Sequence, residues 1–153
     1  MKKTLEPLLE KHPFFAGLDQ RYLELLTGCA TNLRFMPGEY LFREGGEAKQ
    51  FFVIREGQVA LEIFVPGAGP KKIQTLEDGD VVGWSWLFPP HTWHFSGRVA
   101  TRLSVLVLDG KCLRDKCEED HNLGYEFFKR VSQIMVDRLQ ATRLQVLDLY
   151  GAR

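Results

Sequence analysis

Pro37-Gly38-Glu39-Tyr40-Leu41-Phe42-Arg43-Glu44-Gly45, followed after residues 46–50 by Phe51-Phe52-Val53-Ile54-Arg55-Glu56-Gly57-Gln58-Val59-Ala60-Leu61, is the stretch on which the fold turns. Short aromatic and β-branched runs alternate there with glycine-containing corners. Tight corners need backbone angles with φ > 0, which glycine reaches without steric penalty. The stretch therefore predicts strands joined by turns and not a helix.

The same rhythm extends outward over residues 32–109. Further corners fall at Pro66-Gly67-Ala68-Gly69-Pro70 and Asp78-Gly79-Asp80, so turns recur about every ten residues, as in a small antiparallel β-roll of the jelly-roll or double-stranded β-helix kind. Upstream, Leu5, Leu8, Leu9, Leu18, Tyr22, Leu25 and Leu26 keep helical spacing, broken by Pro13 and Gly17, which predicts two short helices within residues 1–31. Downstream, residues 110–153 read as a short helix followed by a long one. The expected organisation is mainly β with flanking helices, in a single domain over residues 1–153.

On the long helix Phe128, Val131, Met135, Leu139, Val146 and Leu149 form a stripe with near-heptad steps, interrupted by Arg138 and Thr142. Such a stripe exceeds what one small barrel can cover, so a homodimer through this helix is expected.

Hydrophobic residues make up 44% of the chain and charged ones 26%, the balance of an ordinary globular protein. Lys plus Arg and Asp plus Glu number 20 each, so the molecule as a whole has no net attraction for nucleic acid or an anionic bilayer. There is no apolar run of transmembrane length and no secretory apolar stretch at the N-terminus. Cys29, Cys112 and Cys117 form an odd set without CxxC spacing, which reads as structural thiols in a reducing compartment. A cytoplasmic location follows as an expectation.

The Pro37–Gly45 and Phe51–Leu61 segments, continued by Gly79-Asp80-Val81-Val82-Gly83, resemble the cyclic nucleotide-binding domain family, of which the catabolite activator protein is one type. The resemblance covers nearly the whole chain. It implies an eight-stranded β-roll that holds a cyclic phosphate against a short helix, with a glutamate on the ribose and an arginine on the phosphate. It also implies a sensory or regulatory role, with a cyclic nucleotide or a related small anion as the candidate ligand.

Laid without gaps on the catabolite activator type of cassette, residues 79–88 place Trp84 where the ribose-binding Glu belongs, and residues 89–100 place His94 at the phosphate-binding Arg, with Phe95 beside it. Hydrogen bonds to charged groups contribute about 1.5–3 kcal/mol each, so losing both weakens cyclic AMP by about two to four orders of magnitude. Candidate ligand-contacting residues are thus Gly83, Trp84, Ser85, Trp86, His94 and Phe95. Arg98 is a substitute cation if its side chain turns inward, and Thr142 is similar to the family's adenine-facing threonine. The aromatics Trp84, Trp86, Phe88, Trp93 and Phe95 either fill the pocket or line it for a flatter ligand.

Competing chemistries lack parts. His91 and His94 make only two metal ligands where three or four are usual, and no cupin-type HxH is present. Cys112 and Cys117 sit on different helical faces with nothing nearby to activate a thiol, and no phosphate loop, nucleophile elbow or His-Glu-x-x-His helix occurs. The residues point to a non-catalytic protein without cofactor or metal. A DNA-reading helix-turn-helix is not found before Arg153, so direct nucleic-acid binding is not expected. Besides a ligand-binding sensor, a degenerate, ligand-free dimerisation module and an enzyme on a cupin-like β-roll remain as alternatives.

Overall fold

The computed structural model describes residues 4–151. They fall into two compact units that divide between Lys116 and Cys117.

In the first unit, α1 (Glu6–Lys11), a 3-10 turn (Pro13–Phe15) and α2 (Gln20–Thr27) precede eight strands: β1 (Ala30–Phe35), β2 (Tyr40–Phe42), β3 (Gln50–Glu56), β4 (Val59–Val65), β5 (Gly69–Leu76), β6 (Val81–Val82), β7 (Ser96–Val99) and β8 (Leu103–Asp109). All pair antiparallel, in two four-stranded sheets of order β1-β8-β3-β6 and β2-β7-β4-β5. This is the mainly antiparallel β-roll with flanking helices that the turn rhythm predicts. The corners behave as argued: Gly57 has φ +111°, and a Cβ there would collide with the Arg102 carbonyl oxygen.

Strand β3 is buried at Phe51, Phe52, Val53 and Ile54 in succession, without the alternation of a half-exposed strand. Both its faces are covered. Phe52 turns toward the second sheet, 5.7 Å from the Phe42 ring, whereas Phe51 turns toward the N-terminal segment, 5.3 Å from Phe14. His12 fastens that segment to the strand. Its Nε2 is 2.8 Å from the Ile54 carbonyl oxygen and its Nδ1 accepts from the Phe14 backbone N–H, so both ring nitrogens are satisfied only in the neutral, Nε2-protonated form. Burial accordingly holds the His12 pKa below its ordinary value.

The thiol reading is corrected at two positions. Cys29 and Cys112 form a disulfide, with Cα atoms 5.6 Å apart, and only Cys117 is free. Their sequence separation of 83 conceals the proximity. Pairing of Ala30 with Leu108 brings the residue before β1 close to the first turn of α3 (Gly110–Glu119). Burial, with Glu118 and Asp120 adding to it, pushes the Cys117 thiol up to about 11, which leaves it un-ionised at neutral pH.

The second unit is dominated by α4 (His121–Gly151), about 46 Å long at 1.5 Å per residue. Asp120 caps it, its Oδ1 accepting from the Asn122 and Leu123 N–H groups. Leu123, Phe127 and Val131 are buried. From residue 132 to 151 no residue is buried, and Leu139, Leu144, Val146, Leu147, Leu149 and Tyr150 are exposed.

Candidate ligand-binding cassette

The segment from Gly83 to Phe95 connects β6, on the edge of one sheet, to β7, inside the other. The short helix implied by the resemblance does not form. Two turns take its place, closed by Leu87 N–H to the Trp84 carbonyl at 3.0 Å and His91 N–H to the Phe88 carbonyl at 2.8 Å. Pro89 and Pro90 account for this: a residue before proline is pushed out of the α region, and proline itself donates no N–H.

The returning strand is tied to the β2–β3 loop. Gly45 N–H donates to the Trp93 carbonyl at 2.8 Å, Trp93 N–H to the Gly46 carbonyl at 2.9 Å, and Ala48 N–H to the His91 carbonyl at 2.7 Å. These bonds direct the Trp93 side chain between the sheets, where it is 3% exposed. The indole stacks on Phe42 at 3.8 Å and 15°, with Phe52 at 6.4 Å and Phe95 at 6.2 Å completing the cluster. It also lies against Gly83, which has φ +82°, and a Cβ on that glycine would collide with the indole ring.

Of the candidate residues, Gly83 and Phe95 thus meet around Trp93. Trp86 belongs to a different cluster: it is completely buried, 5.6 Å from Phe51, and its Nε1 donates to the Gly83 carbonyl at 3.3 Å while its own carbonyl accepts from Arg114 at 2.5 Å. Trp84 and Ser85 are half-buried, and His94 is exposed. Trp86 and Trp93 therefore fill space and do not line an open surface.

Arg98 does not turn inward. A Cβ at Gly97 would press on the Phe42 ring, so Gly97 faces the space between the sheets and its neighbours Ser96 and Arg98 face outward. On that outer face Arg98 Nε donates to Glu62 Oε2 at 3.0 Å. Thr142 is exposed on α4, and its hydroxyl donates back to the Arg138 carbonyl at 2.9 Å. Among the described residues no group of three or more His, Cys, Asp or Glu side chains is arranged to hold a metal ion.

Trp93 and Phe42 are the residues whose importance sequence reasoning missed. Trp93 stands in the aromatic-rich stretch, and Phe42 lies in the decisive first segment, but nothing in either spacing says that the two rings stack. Glu62 was missed as well, although a carboxylate inside the apolar run Val59–Val65 is itself a signal.

The model of the family described as the cyclic nucleotide-binding domain matches residues 32–120. The chain is 25% identical over 131 residues to the anaerobic regulatory protein of Bacillus subtilis strain 168, covering 85% of this chain and 54% of that one. A solved structure of a cyclic nucleotide-binding protein from Geobacter metallireducens GS-15 superposes with a TM-score of 0.77 at 25% identity, over 90% of this chain and 99% of the other. The regulatory subunit of a cAMP-independent protein kinase A from Trypanosoma brucei superposes at 0.69, also at 25% identity, over 85% and 46%. The chain spans about half the length of the Bacillus regulator and of the trypanosome subunit. On the extent of the family match, together with the two-sheet β-roll, the chain belongs to the cyclic nucleotide-binding domain family.

Proposed function

We propose that this chain is a non-catalytic regulatory domain of the cyclic nucleotide type whose cassette binds ordinary cyclic AMP weakly or not at all. One observation carries the reading: the Trp93 indole is packed on Gly83 and Phe42, in a cassette that has Trp84 and His94 where the family has a carboxylate and a guanidinium. Replacement of the two charges lowers affinity, and the buried indole takes up volume beside the cassette glycine. The ligand is then a different nucleotide-like molecule or small anion that reaches Trp84, Ser85, His94 and Phe95.

A second reading, a ligand-free dimerisation module, is favoured by the same packing of Trp93, and the cAMP-independent kinase subunit is a relative without cyclic AMP control. Both readings place the output in α4, which pairs with a second copy through Leu139, Val146 and Leu149. A cytoplasmic location stays part of the proposal, although the Cys29–Cys112 disulfide removes the support that three free thiols would lend it.

Calorimetry against cyclic mononucleotides and dinucleotides separates the two readings, since saturable binding of one other than cyclic AMP supports the first and silence the second. Cyclic AMP should bind unaltered protein at least about a hundredfold more weakly than it binds a Trp84→Glu/His94→Arg variant. Tight cyclic AMP binding by the unaltered protein would overturn both. Sedimentation equilibrium tests the dimer, which Leu139→Lys with Val146→Lys should dissociate.

A further inference from the structure

Glu62 is 7% exposed, the one carboxylate among the buried residues of the described chain. Its Oε2 takes the Arg98 hydrogen bond, yet its Oε1 is buried with no donor. A half-satisfied buried carboxylate is unfavourable, and an apolar residue of similar volume would be more stable at such a position. Stability alone therefore does not account for a glutamate in the middle of β4.

Glu62 instead forms part of the wall of a pocket of about 390 Å³ on the outer face of the β2-β7-β4-β5 sheet, with Tyr40, Arg43, Glu44, Phe64, Pro70 and Ser96. This face is opposite the one that carries Trp93. The acceptors around the pocket are partly engaged: Ser96 Oγ accepts from the Glu44 N–H at 2.9 Å and Glu44 Oε1 from the Phe64 N–H at 3.1 Å. The Tyr40 ring already serves as a platform for a cation, since the Arg43 guanidinium carbon lies 3.9 Å from its centroid. Two carboxylates, an aromatic face and the apolar surfaces of Phe64 and Pro70 surround a volume suited to a small molecule.

The geometry points to a second ligand site, independent of the cassette, for a small organic cation with an ammonium or guanidinium head and a short apolar body. The head pairs with the Glu62 carboxylate, which turns so that Oε1, closed to solvent and without a donor in the free protein, accepts from it, and the body lies on Phe64 and Pro70. Arg43 is the tethered competitor for the Tyr40 ring.

The test is a titration of the full chain with butylguanidinium and butylammonium, with butyrate as an anionic control of the same size, followed by calorimetry and amide NMR shifts. Saturable cation binding that shifts the amides of Phe64 and Ser96 is expected. Glu62→Gln should weaken it by about tenfold to a hundredfold, and Arg43→Ala should strengthen it a few-fold. Glu62→Leu should abolish binding while the protein unfolds at the same or a higher urea concentration, which distinguishes a binding carboxylate from a structural one. Absence of saturable binding, equal binding of butyrate, or cation affinity unchanged in Glu62→Gln would each overturn the proposal.

Discussion

Opening the Cys29–Cys112 bond removes a constraint on the unfolded chain much more than it removes native contacts. The two cysteines flank paired strands, and the Ala30–Leu108 to Phe35–Leu103 ladder keeps their backbones adjacent whether or not the sulfurs are joined. For a separation of 83 residues, the chain-entropy relation gives about 15 cal/mol/K, or about 4.5 kcal/mol at 25 °C. Residual structure in the reduced, unfolded chain lowers this, so a loss of about 2–4 kcal/mol is expected, with a fall in Tm of about 5–15 °C. Alanine is the proper replacement at both sites, because Cys29 is buried and a serine hydroxyl there would add its own desolvation penalty. The assay compares urea unfolding of the oxidised protein, the dithiol-reduced protein and Cys29→Ala/Cys112→Ala. The last two should coincide and lie below the first, with only Cys117 titrating as a free thiol in the denatured, oxidised chain. Coincidence of all three curves, or titration of all the cysteines without reductant, would refute the reasoning.

Acid should weaken the fold through His12. Its pKa is lowered in the folded state, so the unfolded chain takes up a proton first as pH falls; the stabilisation is fully present above the ordinary value of 6.5 and declines below it. Urea midpoints measured between about pH 5 and pH 7.5 should therefore rise with pH, and His12→Gln should flatten that slope. At the cassette, Trp93→Ala should destabilise by about 3–5 kcal/mol through the cavity it leaves, and Gly83→Ala by about 1–3 kcal/mol from its positive φ, with a collision against the indole in addition. The double variant should lose less than the sum, because removal of the ring relieves the collision, and strict additivity in chemical unfolding would argue against the packing.

The roll was legible because its determinants are local. Glycine corners at Gly45, Gly57 and Gly79 and the runs between them specify strands whatever the tertiary context, and the stripe on α4 specifies a helix by period alone. The disulfide was not legible, since its partners meet only through the β1–β8 register. The loss of the cassette helix could have been read from Pro89-Pro90, a local signal that the family pattern outweighed. The inward stacking of Trp93 on Phe42 depends on how the residue 45–48 loop pairs with residues 91–93, a relation between distant segments that no periodicity reports.

The two departures of the cassette are physically connected. A buried carboxylate and guanidinium without a ligand would each carry a desolvation penalty, so a pocket that holds them has reason to stay open to water or to its ligand. With Trp84 half-buried and His94 exposed, no permanent charge stands at the two positions that would hold ribose and phosphate. Nothing then opposes an aromatic interior. Gly83 illustrates the exchange: a glycine lets a ligand approach the backbone closely because it has no Cβ, and in this chain the approach is made by the protein's own indole. Restoring the two charges without removing Trp93 would place them beside an occupied volume, so the largest gain in cyclic AMP affinity should come from Trp84→Glu and His94→Arg combined with a smaller residue at position 93.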